Sequence, residues 1–305
     1  MTRTLDVKDV KDVKDREKTA GRLLKASAKH SYDPGVDIDW DAPLEEGMFF
    51  EPEHRISLYG TQLYEQLSHE QRVELSKQEV ASLASVGIWF EMILMQMLVR
   101  HAYDRDATSQ HVQYALTEIG DECRHSVMFA RMIEKFGCPS YGVGRYQHQL
   151  GRAMKTASAG AHMFASTLIA EELLDTFQRE AMSDESVQPL VRMVSRIHVV
   201  EEARHVRYAR EELSRRMSRI SRSELAIARL LTARAAYVVA DQLIHPGVYA
   251  AVGIDPAQGK AAADANPNFR ETRRWAASRL VGFFDDVGLM AGPGMLLWRR
   301  IGLVS

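Results

Sequence analysis

A Glu-x-x-His motif occurs twice in the 305 residues, as Glu122-Cys-Arg-His125 and as Glu202-Ala-Arg-His205. On a helix, positions i and i+3 lie about 60° apart, so each motif can turn a carboxylate and an imidazole toward one interior. A single such motif more often marks a solvated helix face. The constraint comes from two further acids. Glu91 stands 31 residues before Glu122, and Glu171 stands 31 residues before Glu202. Each interval has a polar break at its midpoint, near residues 106 and 186. Two antiparallel helices joined at each break bring each lone Glu level with its partner motif. The matched positions 91/171, 122/202 and 125/205 share one offset of 80 residues. The chain therefore reads as two helical hairpins closing into a four-helix bundle.

The stretch from Val86 to Val99 is apolar on every side except at Glu91 and Gln96. A helix apolar all round is buried, and a carboxylate buried there is costly unless a cation meets it. Glu91 needs either a basic side chain or a metal. His198, Glu202 and His205 fall at i, i+4 and i+7, on one face. His198 therefore points to the same centre, as a third imidazole. The equivalent place in the first half holds Glu118, so the repeat is asymmetric. A lone Glu from each of two helices plus Glu-x-x-His from each of two others is the ligand pattern of di-iron and di-manganese bundles. Four carboxylates (Glu91, Glu122, Glu171, Glu202) and three imidazoles (His125, His198, His205) suit iron or manganese better than zinc or calcium. Redox chemistry makes two irons the first expectation and manganese the second.

Each element has a plainer reading. Glu91 could pair with a buried arginine, His198 could be a hydrogen-bonded core histidine, and Glu171 or Glu172 could be a surface acid. The equal intervals favour Glu171 over Glu172. Cys123 is turned about 100° from Glu122 and reads as packing, and Met92, Met95 and Met97 read as core.

The rest of the chain is organised around these helices. Residues 1–30 carry the micro-repeat VKDVKDVKD and read as a charged, disordered leader. Residues 31–53, acidic and holding three prolines, read as an extended segment wrapping the body. Helices are expected over about 68–101, 109–136, 145–182, 189–219 and 221–244. The 247–266 stretch reads as Gly/Ala-rich loop, and a last amphipathic helix runs over about 266–286. The tail GLMAGPGMLLWRRIGLVS reads as irregular but packed on the body, or against a second copy in a homodimer. The fold expected is all-α: a four-helix bundle with flanking helices, in one domain over 31–305 with its core bundle at about 68–219.

Lys plus Arg is 39 against 41 for Asp plus Glu, so no global charge draws the chain to nucleic acid or an anionic membrane. Two cysteines, Cys123 and Cys138, exclude a disulfide framework and suggest a reducing cytoplasm. No run of 18 apolar residues and no signal-like apolar core at the start lead us to expect no membrane span and a cytoplasmic protein. No G-x-G-x-x-G motif following a strand and no cysteine cluster point to a flavin, nicotinamide or iron–sulfur group, so electrons are expected from an external donor or reductase.

With these residues in view, the chain resembles the ferritin-like di-iron oxygenases, and among them the p-aminobenzoate N-oxygenase (AurF-type) family. That family carries a lone Glu, a Glu-x-x-His, a second lone Glu and a His-x-x-x-Glu-x-x-His helix. Here these are Glu91, Glu122/His125, Glu171, and His198/Glu202/His205. The strings Gly120-Asp-Glu-Cys-Arg-His125 and His198-Val-Val-Glu-Glu-Ala-Arg-His205 are similar to the family's metal helices, and the likeness covers roughly residues 35–300. The resemblance implies a monooxygenase of secondary metabolism. It would use O2 and two-electron reduction to convert a small amine, commonly an arylamine, to hydroxylamino and nitro products. An aminoarene carboxylate would want an arginine clamp, for which Arg299 and Arg300 are candidates, and Tyr114 and Tyr208 could line the site. Asp121 and Glu201, beside the ligand acids, could support histidine N–H groups or be exposed. Alternatives on the same scaffold are a C-hydroxylase and a non-enzymatic iron-storage or metal-stabilised bundle. A radical subunit like that of ribonucleotide reductase would place a Tyr four residues after the first motif's His, where this chain has Phe129.

Overall fold

The computed structural model describes residues 7–305. Its helices are α1 (Val7–Lys29), α2 (Pro34–Asp37), α3 (Gln62–Glu65), α4 (His69–Tyr103), α5 (Gln110–Phe136), α6 (Arg145–Ala157), α7 (Gly160–Ala181), α8 (Pro189–Met217), α9 (Arg222–Gln242), α10 (Gly247–Ala250), α11 (Pro256–Ala265), α12 (Pro267–Asp286) and α13 (Met295–Arg300). The described residues hold no named strand, only an isolated bridge between Phe49 and Val187.

Local chemistry sets the ends of the long helices. Ser68 and Gln71 form a reciprocal capping box that opens α4, and Ser221 with Glu224 does the same for α9. Ser109 caps α5, which stops at Gly137 in the left-handed region (φ 66°). Pro189 sits in the first turn of α8, where its missing N–H costs nothing. The hairpin α4–α5 packs on the hairpin α7–α8, with α5 against α8 and α4 against α7, closing a four-helix bundle. Around it α6 lies on α4, α9 and α12 lie on α7, and α13 lies on α9. Gly151 brings α6 close to α4, since a Cβ there would stand 2.6 Å from the Trp89 ring and 2.9 Å from Ile93.

Helix α4 is long and apolar enough to cross a membrane by length and composition, with mean hydropathy 1.6 over its best 18 residues. Inside this fold 61% of that window is buried by the other helices. Most of its apolar faces are those of a central bundle helix, but Met92, expected in the core, is 51% exposed and Val99 48%.

Four expectations need correction. The leader read as disordered over 1–30 is helix α1 from Val7 onward; residues 1–6 lie outside the described residues. Its second half docks on α5 and α8: Ala20 and Leu23 are buried, Glu17 accepts the Gln110 N–H (2.7 Å) at the start of α5, and Arg16 makes a two-pronged ion pair with buried Glu212. The apolar stripe Ala20–Leu23–Leu24–Ser27 carries this docking, and the charged micro-repeat before it hid the pattern. The single helix expected over 145–182 is two, because the chain extends at Ser158 and turns at Gly160 (φ 65°). The loop expected at 247–266 contains α10 and α11, the latter opened by an Asp255 cap followed by Pro256. The irregular tail contains α13, whose Trp298 is buried against Phe284. The 31–53 segment does wrap the body: Gln188 donates its N–H to the Phe49 carbonyl (2.8 Å), and Arg131 lies over Trp40.

Removing Arg16 leaves the Glu212 carboxylate in a dry place with poorer partners. Arg16→Ala should lower the unfolding free energy by about 2–3 kcal/mol, read by urea denaturation. Unchanged stability would show that the Arg16–Glu212 pair contributes nothing to the bundle.

Candidate metal centre

Glu91 on α4, Glu122 and His125 on α5, Glu171 on α7, and His198, Glu202 and His205 on α8 all turn into the middle of the bundle, and none is more than 3% exposed. Their donor atoms fall into overlapping groups whose members lie within 4.8 Å of one another: Glu91/His125/His198, Glu122/His125/Glu202 and Glu171/His198/Glu202. These groups join six of the seven sequence-derived candidates, and His205 joins through Glu122 and Glu202, each 3.0 Å from its Nδ1. Glu172 does not join them, since its carboxylate is held by Arg210 on α8 (2.8 Å). The 31-residue interval had favoured its neighbour, and the helix turn explains why: Glu172 is rotated by about 100°.

The contacts are close and cross from one motif to the other. His125 Nδ1 lies 3.1 Å from Glu122 and 3.3 Å from Glu202. His205 Nδ1 lies 3.0 Å from both Glu202 and Glu122. His198 Nε2 is 3.6 Å from Glu91 and 3.6 Å from Glu202. Donor atoms of one octahedral ion with bonds of about 2.1 Å stand about 3 Å apart, so this spacing suits shared cations. Glu122 Oε1, Glu202 Oε2 and His198 Nε2 are buried without a hydrogen-bond partner. Unmet acceptors at the centre of a dry bundle are what a ligand set holding metal requires.

The outer ring nitrogens are held reciprocally. His125 Nε2 bonds to Glu201 on α8 (2.8 Å), and His205 Nε2 bonds to Asp121 on α5 (3.1 Å). Each histidine is therefore fixed by the acid beside the other motif's glutamate, and each presents Nδ1 inward. Glu201 also accepts the Tyr32 N–H (3.0 Å) from the wrapping segment, and Asp121 pairs with Arg204 (3.3 Å) and Arg124. His198 is oriented the other way round: its Nδ1 meets the Gln178 amide oxygen at 2.6 Å, leaving Nε2 inward. Gln178 carried no signal in the sequence beyond lying on the third long helix.

Electrostatics make the centre short of positive charge. Burial raises the Glu91 carboxyl, opposed by the nearby His198 imidazole. Burial with the charges of Glu202, Glu122 and Glu91 raises Glu171 well above the carboxylate range. Glu202 is held well below it: burial opposes this, but His205 and His198 outweigh it. His125 and His205 are pushed well up against their own burial, His125 by bonds to Glu122, Glu201 and Glu202 and His205 by the charges of Glu202 and Glu122. Cations in the centre would replace those protons.

A further acid, Glu118, belongs to this assembly. It is 1% exposed, and its carboxylate lies within 4.8 Å of the Glu122 and His205 donor atoms. Burial raises it well above the usual range, and among the described residues no arginine or lysine is paired with it. The 80-residue offset had placed it opposite His198 without assigning it a role.

Two cavities lie among the helices of the body. One of about 50 Å³ reaches Phe129 and Gln178, which touch His198, and is lined also by Phe50, Glu51, Leu174 and Val194. It has room for one or two water-sized molecules. A larger one of about 250 Å³, behind Phe90 and between α4, α6, α7 and α9, is lined by Trp89, Met154, His162, Ser166 and Arg234. Burial lowers the His162 ring to about 4, so it is neutral at pH 7. Arg299 and Arg300, expected as a substrate clamp, line neither cavity. They are exposed on α13, with Arg299 bonded to the Ser305 carbonyl (3.2 Å) and Arg300 over Tyr237. The chain end folds back on α9, away from the four bundle helices. Tyr114 also lines neither cavity; it is buried on α5 with its ring 5.0 Å from Tyr208.

Glu171 gives a pH signature in chelator-treated protein. The folded chain keeps a proton on Glu171 that the unfolded chain releases above the ordinary Glu pKa of about 4.3. Stability from this group is full below that pH and declines as pH rises toward 7. Glu171→Gln should therefore melt higher than wild type by about 2 °C or more at pH 7, with the difference vanishing near pH 4. Melting curves in which the variant is the less stable at pH 7 would contradict it.

Comparison with known proteins gives a family and a fold. The family described as p-aminobenzoate N-oxygenase AurF matches residues 13–288. The chain is 27% identical to "Uncharacterized protein MT0908" of Mycobacterium tuberculosis (strain CDC 1551 / Oshkosh), over 97% of this chain and 89% of that protein. It is 29% identical to "Uncharacterized protein Mb0909" of Mycobacterium bovis, over 73% of this chain and 66% of that protein. Among solved structures, a point mutant of an R2-like ligand-binding oxidase with an anaerobically reconstituted Mn/Fe cofactor superposes with a TM-score of 0.52 at 15% identity, covering 90% of this chain and 93% of that one. That likeness is one of fold, a ferritin-like helical bundle. With the match spanning nearly the whole chain and its helices built as described, the protein belongs to the p-aminobenzoate N-oxygenase AurF family.

Proposed function

We propose that this protein is a di-metal monooxygenase that inserts oxygen at the nitrogen of a small arylamine, with two irons as its metals and manganese as the alternative. The convergence of Glu91, Glu122, His125, Glu171, His198, Glu202 and His205 in one dry centre carries the reading. Membership of an N-oxygenase family supports the choice of nitrogen as the site of attack. The balanced first step is ArNH2 + O2 + 2e− + 2H+ → ArNHOH + H2O. The electrons come from an external reductase or a small reductant. Bound at this site, the metal pair supplies the electron storage and O2 activation that no side chain has.

The chain's own residues position and insulate. Ser126 Oγ donates to Glu91 (2.5 Å) and holds its carboxylate toward the centre. Asp121, Glu201 and Gln178 fix the three imidazoles. Phe129 and Leu174 line the narrow cavity and limit water at the His198 end. The cavity behind Phe90 is large enough for one aromatic ring. We assign it to the substrate, with Arg234 taking the clamp role expected of Arg299 and Arg300. Arg234 is half-buried there beside the Tyr146 hydroxyl.

Purified protein should hold two irons per chain by elemental analysis. After anaerobic reduction and exposure to O2 with a panel of arylamines, mass spectrometry should find N-oxygenated products. Ring-hydroxylated products would move the assignment to a C-hydroxylase, and mineral cores with no modified amine to storage. His198→Ala should stay folded but lose iron occupancy or turnover, at least tenfold in one of them. Wild-type values in both would remove His198 from the ligand set.

A further inference from the structure

The two halves of the bundle superimpose in sequence at an offset of 80 residues, yet they differ at one inward station. One turn before Glu202 on α8 stands His198; one turn before Glu122 on α5 stands Glu118. Both side chains are almost fully buried, at 1% exposure each. Both leave an inward atom without a hydrogen-bond partner, His198 Nε2 and Glu118 Oε2. Those two atoms belong to the small set of unpartnered buried atoms that also contains Glu122 Oε1 and Glu202 Oε2. Glu118 shares a group within 4.8 Å with Glu122 and His205, whereas His198 shares groups with Glu91, His125, Glu171 and Glu202. The two stations thus serve different ends of one donor cluster.

On the reading of the site as a di-metal centre, we propose that Glu118 is an eighth inward ligand, so that one metal position is completed by the His198 imidazole and the other by the Glu118 carboxylate. A buried carboxylate with no arginine or lysine partner needs a cation, and the ion it would share with Glu122 and His205 is the nearest one available. The Glu118 position is then the harder, more anionic of the two, and the His198 position the more nitrogen-rich. Two chemically unlike positions let the chain bind its two ions with unequal affinity.

The experiment loads metal-free protein anaerobically by equilibrium dialysis against Fe(II), reads the bound iron by elemental analysis, and records the visible absorption of Co(II)-loaded samples as a report on coordination. Glu118→Gln keeps the side-chain shape, and circular dichroism checks that it folds. Wild type should take up two ions. Glu118→Gln should keep one at wild-type affinity and bind the second at least tenfold more weakly, with an altered Co(II) spectrum. Glu118→Asp, which keeps the acid on a shorter arm, should recover part of the loss. Two ions at wild-type affinity and an unchanged Co(II) spectrum in Glu118→Gln would overturn the assignment while leaving the di-metal reading intact. A wild-type chain that takes up neither ion would overturn both.

Discussion

The structure is organised around an excess of carboxylates in a place water does not reach. Glu91, Glu118, Glu122, Glu171 and Glu202 share the bundle centre with three imidazoles, and among the described residues none of the five is ion-paired to a lysine or arginine. In such a place each uncompensated charge is worth more than the packing of a large side chain. Without metal, protons must fill the deficit, which is why some carboxyls there are pushed up and His125 and His205 hold protons strongly. The helices themselves, apolar on most faces, supply the burial that makes the deficit acute. Stability and chemistry are therefore opposed at the centre, and the proposed pair of cations would reconcile them.

The second feature is the crossing of support between hairpins. Glu201 on α8 holds His125 of α5, and Asp121 on α5 holds His205 of α8. Neither hairpin can orient its own imidazole alone. The pairing ties the α5–α8 interface to the geometry of the site, and Tyr32 and Arg204 extend it outward to the wrapping segment and to His30. The α1 helix, docked on the same two helices, closes that side of the bundle.

Much of this was legible because it depends on periodicity and spacing. The four bundle helices and the seven converging residues follow from local patterns and equal intervals. Glu171 was separable from Glu172 by the same arithmetic. The features that were missed depend on contacts between distant segments. The charged start of α1 gives no hint that its second half finds an apolar groove on α5 and α8. Gln178 is an ordinary helical glutamine until His198 lies opposite. Arg234 is one of many arginines until α9 folds over the cavity behind Phe90, while Arg299 and Arg300 are carried to the surface with α13.

By itself, the order of residues determined that two helical hairpins must meet on their acidic and imidazole faces, because a helix shows its 3.6-residue period to any reader of the chain. Which acid holds which histidine, where the cavities open, and that Glu118 joins the centre were decided only by tertiary packing. Those relations join residues far apart in the chain, and only the approach of one helix to another sets the distances between them.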